Sequence, residues 1–254
     1  MTSLFDSAAD HYDAARPSYP PAVLDELERR AGPVRGRLVL DFGAGTGIAS
    51  RQLASRGARV VCLDIGEQML RRARARSPQI PCVLADGHRM PVRDAATDLL
   101  TFAQAWHWFD VRLATAEVAR VLRPGGYWAA WWNRASAAGE PWFDRYENLL
   151  EEACPGYTWR RKLDSQLEPD WSGESVRRLG PVEPVGTVVV PWIRHVSATD
   201  WMTDERSKSY VIALDPAVRD SVLTEVAGII AARFPDGQLA VRYQTTLILA
   251  RKAG

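Results

Sequence analysis

The stretch LVLDFGAGTGIASRQLASRGARVVCLD, from Leu38 to Asp64, limits the folds open to this chain more than any other. The apolar run Leu38-Val39-Leu40 reads as a buried strand. Gly43, Gly45 and Gly47 form a turn, Thr46 to Ser55 has helical composition, and Arg59 to Asp64 is a second strand that ends in a carboxylate. This is a β-α-β unit with a glycine turn, the generic frame for a nucleoside-bearing ligand.

The rhythm continues on both sides of that unit. FDSAADHYDAARPSYPPAVLDELERRAG reads as a short helix, a bend at Pro17, Pro20 and Pro21, and a second helix ending near Gly32. Downstream come the basic amphipathic helix EQMLRRARARS, a third strand IPCVLAD that again ends in an acid, and a fourth strand with an aromatic loop in ATDLLTFAQAWHWFD. The helix VRLATAEVARVL stops at RPGG, and YWAAWWN is a fifth strand. Strands alternating with helices predict an α/β fold: a Rossmann-like, mostly parallel seven-stranded sheet with helices on both faces and an antiparallel last strand. After Asn133 the alternation breaks. EPWFDRYENLLEEA is helical, an irregular Trp-, Arg- and Pro-rich stretch follows, and long insertions of this kind often act as lids. The strand VEPVGTVVVPWIRHV, two helical stretches and the final strand LAVRYQTTLILARK then close the chain. The expectation is a single domain over 1–254, with N-terminal lid helices (1–36), a ligand-binding core (37–133), a cap insertion (134–180) and C-terminal elements completing the sheet (181–254).

Composition narrows the partners. A formal net charge of +1 with 25% charged and 46% hydrophobic residues describes an ordinary globule and argues against a dedicated nucleic-acid binder. No run is apolar and long enough to span a membrane, and the N-terminus lacks a signal pattern, so a cytoplasmic protein is the expectation. Cys62, Cys82 and Cys154 have no metal-ligand spacing. Oligomeric state leaves no mark on the sequence.

The details of the glycine turn select the ligand. A dinucleotide fingerprint begun at Gly43 needs Gly or Ala at position 48, where Ile48 stands. Asp41, at the tip of the first strand, would oppose a pyrophosphate and favour a ligand with an ammonium and a sulfonium. S-adenosylmethionine (SAM) is such a ligand. Its ribose needs acceptors after the second strand, where Asp64 lies, and its adenine amine needs one after the third, where Asp86 lies. A nicotinamide dehydrogenase is the weakest alternative on these grounds.

VLDFGAGTG, CLD and AD resemble the successive cofactor motifs of class I SAM-dependent methyltransferases, and RVLRPGG resembles the helix-to-strand junction of many members. HYDAARPSYP and QAWHWFD are similar to the small-molecule branch that includes trans-aconitate methyltransferase-like enzymes. The resemblance spans Phe5 to Asn133. It implies that Asp41, Gly43, Ala44 and Gly45 line the methionine part of SAM and that Asp64 and Ile65 hold the ribose, with Met69 packed nearby. Asp86 and Gly87 would meet the adenine, Gln104 would lie near the methionyl end, and Tyr12 and Arg16 would close over it. His88 departs from the acid or other polar residue of many relatives.

Methyl transfer needs alignment and water exclusion, and a base only if the acceptor must lose a proton. His107, between Trp106 and Trp108 just past the fourth strand, is the candidate catalytic residue; an orienting role is weighted ahead of base catalysis. Tyr19, Trp106, His107, Trp132 and Asn133 are the candidate acceptor contacts, although alternation puts Trp131 and Asn133 on one face of the fifth strand and Trp128 and Trp132 on the other. His11, His88 and His195 read as surface or loop residues, and most of the ten tryptophans read as packing. Arg160–Lys162 reads as a solvated charge run that, in a cap, could draw in an anion. The expected activity is methylation of a small molecule, with an oxygen acceptor, such as a carboxylate, favoured. Nitrogen, carbon and phenolic acceptors, a SAM-bound rearrangement or cyclisation, and a non-catalytic SAM binder are the alternatives.

Overall fold

The computed structural model describes residues 16–155, 157 and 182–254. The expected first helix, Tyr12, Arg160–Lys162 and most of the irregular cap stretch lie outside these residues.

Helix α1 (Pro21–Ala31) starts on a proline, which has no N–H to leave unsatisfied, and stops at Gly32 with φ of 81°. Strand β1 (Leu38–Phe42), helix α2 (Ile48–Ser55), β2 (Arg59–Asp64), α3 (Glu67–Arg76) and β3 (Cys82–Leu84) form two successive β-α-β units with parallel strands. Next come β4 (Thr97–Ala103), a 3-10 turn (Trp106–Trp108) where a loop was expected, α4 (Val111–Val121) and β5 (Leu122–Ala135). Thr97 pairs with Leu122 but Leu99 pairs with Tyr127, so the Arg-Pro-Gly-Gly segment bows out of the ladder before β5 joins the sheet in earnest. Helix α5 (Pro141–Ala153), β6 (Val182–Ser197), α6 (Ala198–Arg206), the single turn α7 (Ser209–Ile212), α8 (Pro216–Arg233) and β7 (Gln238–Lys252) complete the chain. Three helices, not two, separate the last strands.

The seven strands lie in the order β3-β2-β1-β4-β5-β7-β6, with β7 antiparallel to both neighbours. The order reverses between β1 and β4, and such switch points open a crevice at the carboxyl edge of the sheet. Alternating side chains serve two cores. Leu40, Phe102, Trp128 and Trp132 pack with Ala114 and Val118 of α4. Val39, Leu99 and Trp131 pack on the other face with Leu27 of α1 and Leu53 of α2.

A third core lies beyond the sheet proper. Trp142, Tyr146 and Leu150 of α5 bury themselves with Trp201, Val226, Ile230 and Tyr243 from α6, α8 and β7. The described part of the expected 134–180 insertion therefore shares its core with the C-terminal elements, and the cap is built from both. The reason is reach: β6 and β7 pair from Val182↔Lys252 to Ser197↔Gln238, a ribbon long enough to carry helices past the edge where β1 to β4 end.

Candidate active site

A cavity of about 530 Å³ occupies the switch-point crevice. Its wall takes residues from the carboxyl ends of β1 to β4: Phe42 to Thr46 at β1, Asp64 and Ile65 at β2, Ala85 to His88 after β3, and Ala103 to Ala105 at β4. The glycines earn their places individually. Gly45 has φ of 55° and nothing within 4 Å of where a Cβ would stand, so its missing side chain is open cavity space. A Cβ on Gly43 or Gly87 would instead run into Ala105 or the Phe109 ring.

Asp64 accepts from the Gly45 N–H (2.8 Å) through one oxygen and from the Gly66 N–H (2.7 Å) through the other, which fixes both the carboxylate and the turn. Ile65 is 58% exposed and Trp108 54% exposed, and both line the cavity, a pattern suited to cover by a ligand's rings. Ile48, at the start of α2, also lines it and puts an apolar side chain where a dinucleotide fold brings glycine against phosphate. Gln104 adopts φ of 55°, rare for a residue with a side chain, and donates from Nε2 to the Asn133 carbonyl at 3.1 Å.

Not every expected residue reaches the wall. Arg16, Gly43, Ala44, Gly45, Asp64, Ile65, Met69, Asp86, Gly87, Gln104 and Tyr19 do. Asp41 does not line the cavity: it is fully buried behind the turn, taking Ser50 Oγ–H at 2.6 Å and Thr101 Oγ1–H at 2.7 Å. Strand alternation explains this, because its side chain points at the helix that follows the turn and at Thr101, its register partner on β4. Burial raises the Asp41 carboxyl to about 6 despite the two hydroxyls, and the Asp64 charge adds to the rise. Burial likewise pushes the Cys62 thiol, hydrogen-bonded to Ser50 at 3.0 Å, up to about 12.

Trp106, His107, Trp132 and Asn133 also stay off the wall. The 3-10 turn rolls Trp106 inward, where it packs edge-on against Phe102 (4.8 Å) and Trp128 (5.0 Å), and leaves Trp108 as the cavity face. Asn133 donates to the Ser18 carbonyl (3.2 Å) and accepts from Thr245 (2.6 Å), tying the segment before α1 to the sheet. Trp132 is buried and donates its indole N–H to His107 Nδ1 at 3.2 Å. His88, expected at the surface or in a loop, lies in the turn after β3 and also lines the cavity. Its Nε2 accepts from the Asp110 N–H (2.8 Å), so Nδ1 carries the proton and donates to Asp86 Oδ1 (2.8 Å). Phe109 was also missed. Its signal was its spacing three residues from Trp106, which places both on the inner side of one tight turn.

Comparison with known proteins decides the family. Residues 40–130 match the methyltransferase domain family. An uncharacterized methyltransferase of Mycobacterium tuberculosis is 35% identical over 260 residues, covering 100% of this chain and 97% of that protein. The chain belongs to the class I SAM-dependent methyltransferases. A malonyl-[acyl-carrier protein] O-methyltransferase of Serratia marcescens is 38% identical over 50% of the chain and 49% of its own length. A solved structure, that of a candidate type II methyltransferase of Anaeromyxobacter dehalogenans, superposes with a TM-score of 0.69 at 25% identity, covering 94% of this chain and 97% of that one.

The enzyme is thus a methyltransferase and its cofactor is SAM. The cavity fits that group on its own evidence: open space at Gly45, a carboxylate at the end of β2 and another after β3, and the exposed apolar side chains of Ile65 and Trp108 on the same wall. Among the described residues no cluster of ligating side chains could hold a metal ion, and no helix is long and apolar enough to cross a membrane.

Proposed function

We propose that the acceptor is a carboxylate, carried by a small organic acid free or attached to a carrier, and that the product is a methyl ester. The observation that carries this reading is the bond between Trp132 and His107. An indole N–H can only donate, so His107 Nδ1 must present its lone pair to it. In the neutral ring Nε2 then bears the proton. His107 is left as a hydrogen-bond donor, with its one basic nitrogen already engaged. An acceptor that must lose a proton would find no base there, whereas a carboxylic acid, with an ordinary pKa near about 4, arrives ionised.

In this reading SAM supplies an electrophilic methyl group, and the chain's residues hold and enclose it. Gly45 leaves it room, Asp64 takes the ribose hydroxyls, Asp86 (steadied by His88) takes the adenine amine, and Ile65 and Trp108 cover its apolar faces. Arg16, Tyr19 and Gln104 bound the methionine end, Met69 packs nearby, and Tyr12 belongs to the same lid by resemblance. Opposite charges on acceptor and sulfonium cancel during transfer, so a dry aligned pocket does most of the work. The malonyl-[acyl-carrier protein] O-methyltransferase relatives support an oxygen acceptor, as does the resemblance of HYDAARPSYP and QAWHWFD to trans-aconitate methyltransferase-like enzymes.

Methyl-labelled SAM incubated with the enzyme and a panel of free and thioester-linked carboxylic acids tests it. The expected product releases labelled methanol in mild alkali, as methyl esters do. Label that survives alkali would assign transfer to nitrogen, carbon or an ether oxygen, and a rearranged product with no added methyl would overturn the reading altogether.

A further inference from the structure

Arg16 stands at two boundaries at once. It forms part of the cofactor cavity wall, beside Pro17 and Tyr19. From the cap side it is gripped by α6: its Nη2 donates to the Ser207 carbonyl at 3.2 Å, and its Nε lies 3.4 Å from Asp204 Oδ1. A cation at the carboxyl end of a helix is favoured by the helix dipole. The other oxygen of Asp204 accepts from Arg194 Nη1 of β6 at 2.7 Å, and the same Nη1 donates to the Tyr243 hydroxyl of β7 at 3.0 Å. The Arg194 and Asp204 side chains are each only 5% exposed.

We propose that Asp204 is a positioning residue for methyl transfer: from the cap it holds the Arg16 guanidinium over the cofactor cavity, where Arg16 meets the carboxylate of the cofactor's methionine moiety. Two guanidiniums on one buried carboxylate make a geometry that neither arginine would keep alone. Burying Asp204 costs its charged form, but the positive charges of Lys208, Arg16 and Arg194 more than compensate and keep its carboxyl below the usual range. Buried ion pairs are poor devices for stability and better ones for fixing a single arrangement. Here the arrangement joins the segment before α1 to the helix after β6, with Arg16 and Ser207 191 positions apart. Seating of the cap and retention of the cofactor become one event, and by linkage the cofactor must in turn steady the cap. The inference rests on the SAM site and is independent of the acceptor's chemistry.

A double-mutant cycle on S-adenosylhomocysteine (SAH) affinity, measured by calorimetry, tests it. Arg16→Gln and Asp204→Asn should each weaken SAH by roughly 10-fold to 100-fold, the scale of one charge-assisted contact, and the double variant should bind like Arg16→Gln alone. An unchanged affinity in Arg16→Gln would remove Arg16 from the cofactor. Independent, additive losses would show that Asp204 acts by some route other than Arg16. Because Asp204→Asn leaves Arg194 buried without its counterion, hydrogen exchange supplies a second arm on well-folded protein. SAH should slow amide exchange around 204–208 in the wild type and not in Arg16→Gln. No slowing in the wild type would overturn the proposal.

Discussion

The two ends of the sheet are built on different plans. In the half that forms the cavity, β1 to β4 are short, 5, 6, 3 and 7 residues, and each hands over at its carboxyl end to wall residues. In the other half, β5, β6 and β7 run for 14, 16 and 15 residues and carry the cap on their extension. The first half is local: turn, acid and helix follow one another within a few positions. The second is made by partners far apart in sequence, such as Arg194 with Tyr243 and Arg16 with Asp204. A substitution on the cavity wall should act mainly on cofactor binding, and one in the second half, outside the Arg16–Asp204 link that reaches the cavity, mainly on stability.

The largest effect should come from Gly45→Val. Its Cβ enters open cavity space, and a β-branched residue at φ of 55° adds backbone strain of about 1–3 kcal/mol. SAH binding should vanish in calorimetry while the fold, monitored by thermal unfolding, survives with reduced stability. Retained binding would place the cofactor elsewhere.

Trp201→Ala should reverse that division. Trp201 is 1% exposed, with the rings of Tyr146 and Trp142 at 6.0 and 6.2 Å and the Arg194 guanidinium 5.5 Å above it. Denaturant unfolding should show a loss of about 3–5 kcal/mol, the usual cost of emptying a buried tryptophan site. SAH affinity, measured where the variant is still folded, should fall by less than about tenfold, a secondary disturbance of the Arg16 contact. Abolished binding in a folded variant would erase the contrast between the halves.

That contrast also governs what could be read from the sequence. The mostly parallel sheet follows from local alternation of strands and helices, and Gly45, Asp64 and Asp86 follow from motifs that recur after three successive strands. The failures are contacts made by geometry at a single residue. Asp41 was placed on the wall, but a strand turns successive side chains to opposite faces and sends this one to Ser50 and Thr101. Trp106 and Trp108 exchanged roles because one 3-10 turn has no periodicity to read. His88 is in a loop, as expected, but its place on the wall was not legible because its partners, Asp86 and the Asp110 N–H, meet only when two loops close together. The cap's shared core was hidden because α5 and α8 lie on either side of β6 in the chain.

Asp41→Asn sharpens the picture of the local half through pH. The folded protein keeps the Asp41 proton up to about pH 6, whereas the unfolded chain loses it near the ordinary carboxylate value. Between those values the native state binds more protons, so ionisation of Asp41 lowers stability as pH rises through the window, by about 3 kcal/mol at full ionisation. Asparagine carries no such cost. Its stability relative to wild type should climb from about pH 4 to pH 7 and then level off; a flat difference would mean the carboxylate is not strained by burial. Loss of the negative charge should also weaken SAM more than SAH, which lacks the sulfonium, by less than about tenfold.

The smallest effect is expected at His107, and it decides most about the chemistry. His107 is exposed, lies next to Trp108 of the cavity wall, and gives its Nδ1 lone pair to the Trp132 indole. Glutamine offers one carbonyl to accept from Trp132 and an amide N–H to donate outward, so His107→Gln can reproduce both functions of the neutral ring. Turnover should fall by less than about tenfold, against the roughly 10²–10⁴-fold contributed by a positioned base. Trp132→Phe, which removes the indole donor and frees Nδ1, should likewise leave the rate nearly unchanged, because an ionised acceptor asks nothing of that lone pair. A large loss in His107→Gln at unchanged stability, joined by a wild-type rate that rises as an imidazole deprotonates, would make His107 a base after all. The acceptor would then be a group that surrenders a proton, and the methyl-ester assignment would fall with it.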